Sequence, residues 1–214
     1  MKFQKAALIG LVAAAVSAQE ETQIGPFTLH IKGTKCNSTI DGYAKICRAG
    51  VGISGLCYSD DKLSNTSDIA NSFKYNFKYA GFNKVDESEV GTLIWNQPYT
   101  DQDGNPALVP FPMGLSYQTT SNVAAPIFGY EQDIQTVFMV GFDSKGGLFG
   151  YNYVDDSKFD ASQPPSDFTP KAYYQWALCW QYFTGTYAQS LAWIQLGTPH
   201  NPTCEPIEII KVDL

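Results

Sequence analysis

Two apolar runs flank a glycine-rich link in residues 137–154, VFMVGFDSKGGLFGYNYV. Runs of this length on either side of a short link with two glycines predict a β-hairpin. Apolar and polar side chains also alternate with a period of two in residues 27–32 and 73–79, which is typical of strands with one buried face. Further short apolar runs occur at residues 51–58, 92–96, 172–179, 191–196 and 206–212.

Helical periodicity is nearly absent, and turn residues recur at the spacing typical of sandwiches. We therefore expect an all-β protein, a single antiparallel, jelly-roll-like β-sandwich. The proline-containing stretch 160–170 is expected to be a surface loop, because proline cannot donate to a ladder of strands.

Residues 1–18 have the order of a secretory signal peptide. Lys2 and Lys5 precede an uncharged apolar run at residues 6–16, and Ala18 supplies the small residue before the cleavage point. The run is shorter than the roughly 20 residues that cross a bilayer as a helix. We expect cleavage after Ala18, no membrane anchor, and one mature domain, residues 19–214, that is extracellular or associated with a cell wall.

The mature chain is expected to be strongly acidic. Cleavage removes two of the 14 basic residues and none of the 21 acidic ones, so the net charge changes from −7 to −9. This charge repels nucleic acid and anionic lipid, whereas a neutral glycan is indifferent to it. We expect a monomer that binds polysaccharide or another glycan, with no nucleic-acid partner and no cofactor.

Five cysteines remain in the mature chain, and an oxidising compartment favours their pairing. The sequence does not fix the connectivity. We expect Cys47–Cys57 and Cys179–Cys204, because each pair joins predicted strands or strand ends and closes a short loop. Cys36 would be left free. A zinc site would need a C-x-x-C motif or clustered histidines, and because neither is present, no metal site is expected.

Two sequons predict N-glycosylation at Asn37 and Asn65. The alternative for each is an unmodified polar loop. The third match, Asn201-Pro202-Thr203, is excluded by its proline.

Aromatic residues make up 14% of the chain and crowd together in residues 173–187. Trp176 and Trp193 are expected in the core, since each lies near a paired cysteine. Cys179 and Trp180 are adjacent and face opposite sides of a strand, so a core-facing Cys179 would place Trp180 on the surface. Exposed aromatic rings stack on sugar rings. The predicted ligand-binding residues are Trp180, Tyr182 and Tyr187.

No catalytic residue is assigned. A nucleophile elbow, G-x-S-x-G, is absent, and both histidines, His30 and His200, are interpreted as polar surface residues. The alternative is a glycoside hydrolase, which needs only two carboxylates roughly 5–10 Å apart. The acids considered for that pair are Glu131, Asp143, Asp155, Asp156, Glu205 and Glu208.

The run Asp101-Gln102-Asp103-Gly104-Asn105 has the density of oxygen ligands found in a calcium loop. It lacks the remaining ligands and the final glutamate of such loops. Aspartate and glycine are also ordinary turn formers, so a plain turn is the preferred interpretation.

Four segments resemble an uncharacterised family of small secreted proteins of filamentous fungi. They are residues 47–57 (CRAGVGISGLC), residues 121–126 (SNVAAP), residues 140–143 with 153–156 (VGFD, YVDD), and residues 176–179, 191–193 and 201–204 (WALC, LAW, NPTC). The resemblance supports the two expected disulfides, because those four cysteines belong to its pattern, and it implies no activity.

These observations predict a secreted, non-catalytic glycoprotein that binds glycan through exposed aromatic side chains. A hydrolase with a carboxylate pair, and a secreted protein that acts on a host or on another protein, are the alternatives.

Overall fold

A computed structural model describes residues 22–61, 73–77, 84–130, 137–152, 154, 160–163, 169–183 and 186–214. The predicted signal peptide and the second sequon, at Asn65, lie outside these residues. So do three of the acids considered for hydrolysis, Glu131, Asp155 and Asp156.

The described residues form fourteen β-strands and no helix. The strands are β1 (Thr22–Gly33), β2 (Asp41–Arg48), β3 (Ser54–Ser59), β4 (Phe73–Phe77), β5 (Lys84–Val85), β6 (Ser88–Thr100), β7 (Pro106–Ser116), β8 (Val123–Phe128), β9 (Met139–Phe142), β10 (Leu148–Asn152), β11 (Lys171–Tyr173), β12 (Trp176–Phe183), β13 (Thr186–Ile194) and β14 (Glu205–Asp213). No helix that could cross a membrane occurs in this part of the chain.

The strands pair antiparallel in one sheet, and the order of paired strands closes on itself. The sheet runs from β6 through β4, β1, β14, β12, β13, β8 and β7, and β7 pairs again with β6. The pair β2 and β3 extends from β1 and β13, while β9, β10 and β11 continue from the other edge of β6. The predicted all-β antiparallel sandwich is confirmed, with both layers in one continuous sheet.

One hydrophobic core lies between the layers, and the aromatic residues of different strands meet there edge to face. Phe27 of β1 packs on Phe142 of β9 with ring centroids 5.3 Å apart. Trp176 of β12 donates its indole N–H to the carbonyl of Leu148 at 2.9 Å. Trp176 and Trp193 are 1% and 9% exposed, so their predicted place in the core is confirmed.

The hairpin predicted from residues 137–154 is present as β9 and β10. Its turn is closed by the N–H of Asp143, which donates to the carbonyl of Gly147 at 3.0 Å. Gly146 has a φ of 82°, a backbone conformation that favours glycine.

One predicted strand differs in its bounds, and four strands, β2, β5, β7 and β8, lie outside the predicted runs. The run 172–179 is divided between β11 and β12. The strand β7 was not predicted, because it contains Pro106, Pro110 and Pro112. These prolines are separated by even numbers of residues, so their missing N–H groups all fall on the same side of the strand. Pairing with β6 on the opposite side is therefore intact from Pro106 to Pro112.

Both expected disulfides are present, and Cys36 is free and exposed. Cys47–Cys57 ties β2 to β3, and Cys179–Cys204 ties β12 to the residue that precedes β14. The second bridge has a Cα–Cα distance of 4.1 Å. Cys179 is fully buried beside Val123, Ala177 and Ala192, and Cys204 is half-buried against the same cluster.

Removal of the Cys179–Cys204 bridge by Cys179→Ala with Cys204→Ala is expected to lower the free energy of unfolding by about 2–5 kcal/mol. The reason is that the unfolded chain regains the freedom that the bridge removes. Denaturant unfolding monitored by circular dichroism measures the loss. Cys36→Ser is the matched control and should leave the stability of the parent unchanged; equal midpoints for the two variants would contradict the prediction.

Candidate functional site

The three predicted ligand-binding residues lie together on the hairpin formed by β12 and β13. Tyr182 pairs directly with Tyr187, and Trp180 pairs with Gln189, so all four side chains share one face of the hairpin. Trp180, Tyr182 and Tyr187 are 42%, 64% and 63% exposed. We call these three aromatic residues the platform.

Trp180 and Tyr187 stack on one another across the two strands. Their ring centroids are 5.0 Å apart and the ring planes differ by 19°. Diagonal neighbours on an antiparallel pair are within reach of aromatic side chains, which accounts for the contact. Since each ring covers one face of the other, the exposed area of both rings lies on their outer faces and edges.

The surface position of Trp180 has a different cause from the one predicted. Cys179 is buried, but it faces a small cluster with Val123 and Cys204 rather than the main core. Trp176 and Leu178 face the main core, and Trp180 continues their row. It is exposed because the hairpin extends beyond the end of the core.

Two side chains of the turn before β14 form hydrogen bonds with the backbone of Trp180, at the edge of β12 that faces away from β13. The N–H of Trp180 donates to Oγ1 of Thr203 at 3.0 Å, and the carbonyl of Trp180 accepts from Nδ2 of Asn201 at 2.9 Å. Oδ1 of Asn201 also accepts from the hydroxyl of Thr203 at 2.7 Å. We call Asn201 and Thr203 the polar clamp; together with the Cys179–Cys204 bridge, it fixes the strand that carries the platform.

A groove of about 370 Å³ is lined in part by Trp180. Its polar side chains come from three strands or their ends and include Lys45, Asp60 and Gln189, and the Cys47–Cys57 bridge forms part of its wall. Lys45 pairs with Cys57, and Cys57 pairs with Ser190 opposite Cys179, so Lys45 projects from the other face of the sheet, whereas Gln189 shares the face of Trp180. Sequence reasoning missed Lys45 and Asp60, because they are more than 100 positions away from Trp180 in the chain.

Of the acids considered for hydrolysis that the structure describes, Asp143 and Glu208 line a common groove of about 480 Å³. Asp143 is already used as a turn former, since its Oδ1 accepts from the N–H groups of Lys145 and Gly147, both at 2.8 Å. Its Oδ2 accepts from the hydroxyl of Tyr174 at 2.9 Å. Glu205 is partly buried at the start of β14.

The electrostatics of Asp143 do not suit an acid catalyst. Partial burial acts to raise the pKa of Asp143, but the hydrogen bonds from Gly147, Lys145 and Tyr174 outweigh it and lower the pKa. Burial and the hydrogen bond to Asp143 raise the pKa of Tyr174 to about 12. A general acid of a glycoside hydrolase needs a raised carboxyl pKa, so Asp143 is not suited to that role.

The possible calcium loop is a self-contained turn. Oδ1 of Asp101 accepts from the N–H groups of Asn105 and Asp103, at 2.8 and 2.9 Å. The hydrogen bond from the Asn105 backbone is the main cause that lowers the pKa of Asp101. In the described ranges, no group of three or more histidine, cysteine, aspartate or glutamate side chains is placed to hold a metal ion.

The two histidines lie on the surface. Nε2 of His30 is 2.6 Å from Oδ1 of Asp41, and His200 is exposed, with its backbone N–H bonded to Oδ1 of Asn122. Asn37 of the first sequon is exposed in a turn beside the free Cys36.

No family model, curated protein or solved structure matches the chain. The resemblance to secreted fungal proteins stays a prediction, and the candidate site is defined by its own geometry.

Replacement of Tyr174 by phenylalanine is expected to raise the pKa of Asp143 towards the ordinary aspartate value, because one of the hydrogen bonds that stabilise the carboxylate is lost. NMR titration of the Asp143 carboxyl carbon measures the shift. A lowered pKa contributes stability that is present above the unfolded value, about 3.9, and lost as the pH falls through the folded value. The melting-temperature gap between parent and variant should therefore narrow in acid.

Tyr182→Phe removes a phenol far from Asp143 in the sequence and serves as the control for that titration. The interpretation fails if the Asp143 pKa is the same in the parent, Tyr174→Phe and Tyr182→Phe proteins.

Proposed function

We propose that this chain is a secreted glycoprotein of the extracellular space or cell wall that binds neutral polysaccharide through the platform, without catalysis. The observation that carries the proposal is the exposed stack of Trp180 on Tyr187, set on a backbone that a disulfide and the polar clamp hold in place.

Exposed aromatic side chains on this scale favour a ligand. Contiguous apolar surface on a folded protein commonly marks a binding site, and the platform joins three large aromatic side chains on one face. Sugar rings present C–H groups on their faces and hydroxyls on their edges. The outer face of the stack suits the former, and Gln189, which pairs with Trp180 on the same face, suits the latter.

The rigid setting of Trp180 strengthens the proposal. Side chains and strands that are ordered before binding lose less conformational entropy when a ligand arrives. The stack with Tyr187 restricts the ring of Trp180, and the polar clamp restricts its backbone. A platform built this way needs little rearrangement to contact a polymer.

The secreted location is supported by the signal-peptide pattern and by the two disulfides, which are compatible with an oxidising compartment. Asn37 lies exposed in a turn, as a glycosylated asparagine requires. The mature charge of −9 derived from the sequence makes a neutral polymer a better partner than an anionic one. The resemblance to secreted fungal proteins is consistent with this location.

Trp180→Ala is expected to reduce retention of the purified protein on insoluble neutral polysaccharides such as cellulose, β-glucan and chitin. Stacking contributes about 1 kcal/mol per ring contact, so the fraction bound should fall about fivefold at subsaturating polymer. Loss of the stack with Tyr187 should lower the melting temperature by only a few degrees.

Tyr99→Ala is the matched control, because Tyr99 is an aromatic residue of similar exposure, 44%, on the distant hairpin of β6 and β7. Both variants should retain the circular dichroism spectrum of the parent. Equal retention of Trp180→Ala and Tyr99→Ala would show that the platform does not bind the polymer, and an unfolded Trp180→Ala protein would show that Trp180 is structural.

Thr203→Val is expected to weaken retention less than Trp180→Ala, because it removes the acceptor for the N–H of Trp180 and the donor to Oδ1 of Asn201 but leaves the ring of Trp180 in place. The valine keeps the shape of threonine and loses its hydroxyl. Thr198→Val, in the exposed segment before the clamp, is the control. A positioning role predicts a lower affinity together with faster hydrogen exchange of the Trp180 amide; unchanged exchange would refute it.

A further inference from the structure

A separate groove of about 480 Å³ lies at the other end of β13, near Trp193. Trp193 is six residues after Tyr187, which places the groove roughly 20 Å from the platform at about 3.3 Å per residue. Tyrosine rings from three parts of the chain, Tyr117, Tyr151 and Tyr173, contribute to its lining. We call it the tyrosine groove.

The floor of the tyrosine groove is fixed by packing. The ring of Trp193 meets Trp176 edge to face at 5.0 Å between centroids and meets Phe138 at 4.9 Å. Gly150 allows this close approach, since a Cβ at that position would lie 2.4 Å from Cη2 of Trp193. The ring that forms the floor is therefore held in one orientation.

Amide side chains provide the polar part of the lining. They are Gln175 before β12, Gln195 after β13 and Asn152 at the end of β10, and Oδ1 of Asn152 already accepts from the N–H of Val154 at 3.2 Å. Two of them project from anchored backbone, because the carbonyl of Gln175 accepts from Ile194 at 2.8 Å and the N–H of Gln195 donates to Asn122 at 2.9 Å. None of the described residues that line the groove carries a charge.

This lining narrows the chemical class of the ligand. The described lining offers an ion no counter-charge, which makes binding of an ion unfavourable in a partly enclosed site. A purely apolar ligand would cover the amides and phenols without satisfying their hydrogen bonds. A neutral sugar carries no charge and can form hydrogen bonds, so it suits this lining: its ring faces contact aromatic side chains and its hydroxyls pair with amides. The volume is within the roughly 300–1,000 Å³ of small-molecule sites.

We propose that the tyrosine groove is a second carbohydrate site that binds a short, neutral oligosaccharide, with sugar rings against the tyrosines and hydroxyls on Gln175 and Gln195. The site is built from residues distinct from those of the platform, so it does not depend on the function proposed for the platform.

The test is an NMR titration of the ¹⁵N-labelled mature protein with neutral oligosaccharides of glucose, mannose, xylose and N-acetylglucosamine. At least one of them should shift the side-chain amide signals of Gln175 and Gln195. Tyr117→Ala and Gln195→Ala should each weaken that oligosaccharide about fivefold. Both residues are exposed, so the two variants are expected to fold.

Trp180→Ala should leave this titration unchanged, which separates the tyrosine groove from the platform. The affinity should also be the same at low and high salt, because no charge takes part. The proposal is overturned if no oligosaccharide of the set shifts the two amides, if both variants bind as the parent does, or if oligogalacturonate binds more tightly than the neutral oligosaccharides.

Discussion

Backbone pairing between β12 and β13 continues in unbroken register from Trp176 opposite Trp193 to Phe183 opposite Thr186. One end of this pair is embedded in the main core through Trp176, Leu178 and Leu191. The other end extends past the core and carries the platform. Because the register does not slip, the same alternation that buries Trp176 and Leu178 also places Trp180 and Tyr182 on one face.

The neighbours of the pair determine how rigid its exposed end is. On one side, β13 contacts β8 and β3. On the other side, β14 pairs with β12 only at Ala177 and Leu178, and beyond that point the Cys179–Cys204 bridge and the polar clamp replace the ladder. At Trp180, side-chain groups thus satisfy the edge of β12 where another strand would otherwise be needed.

Much of the fold could be predicted from the sequence, because period-2 alternation and glycine-rich links depend on neighbouring residues. Alternation at residues 27–32 and the link at 144–147 were sufficient to place β1 and the hairpin of β9 and β10. The side of β12 that faces the main core could not be predicted, because Cys179 and Leu178 are both apolar and both buried. Only the packing of distant strands distinguishes them.

The candidate site was predictable in part for the same reason. Trp180, Tyr182 and Tyr187 are close in sequence, so a local pattern was enough to group them. Lys45 in β2 and Asp60 after β3 line the groove that Trp180 also lines. No local sequence pattern connects these two residues to Trp180. The polar clamp is visible in the sequence as the motif Asn201-Pro202-Thr203. Its proline excludes glycosylation of Asn201, and both polar side chains bind the backbone of β12.

The distance between the two proposed sites matters because each contact between a sugar ring and an aromatic side chain is weak. A single sugar ring on an aromatic side chain contributes about 1 kcal/mol, which is too little to hold a protein on a polymer. The platform lies on β12 and β13, and Trp193 of β13 also lines the tyrosine groove, so a polymer bound at the first site would be held at a high effective concentration near the second. Such linkage raises the overall affinity only if the polymer spans the distance without strain. One polymer could engage both proposed sites only if its chain is extended over the roughly 20 Å between them along β13.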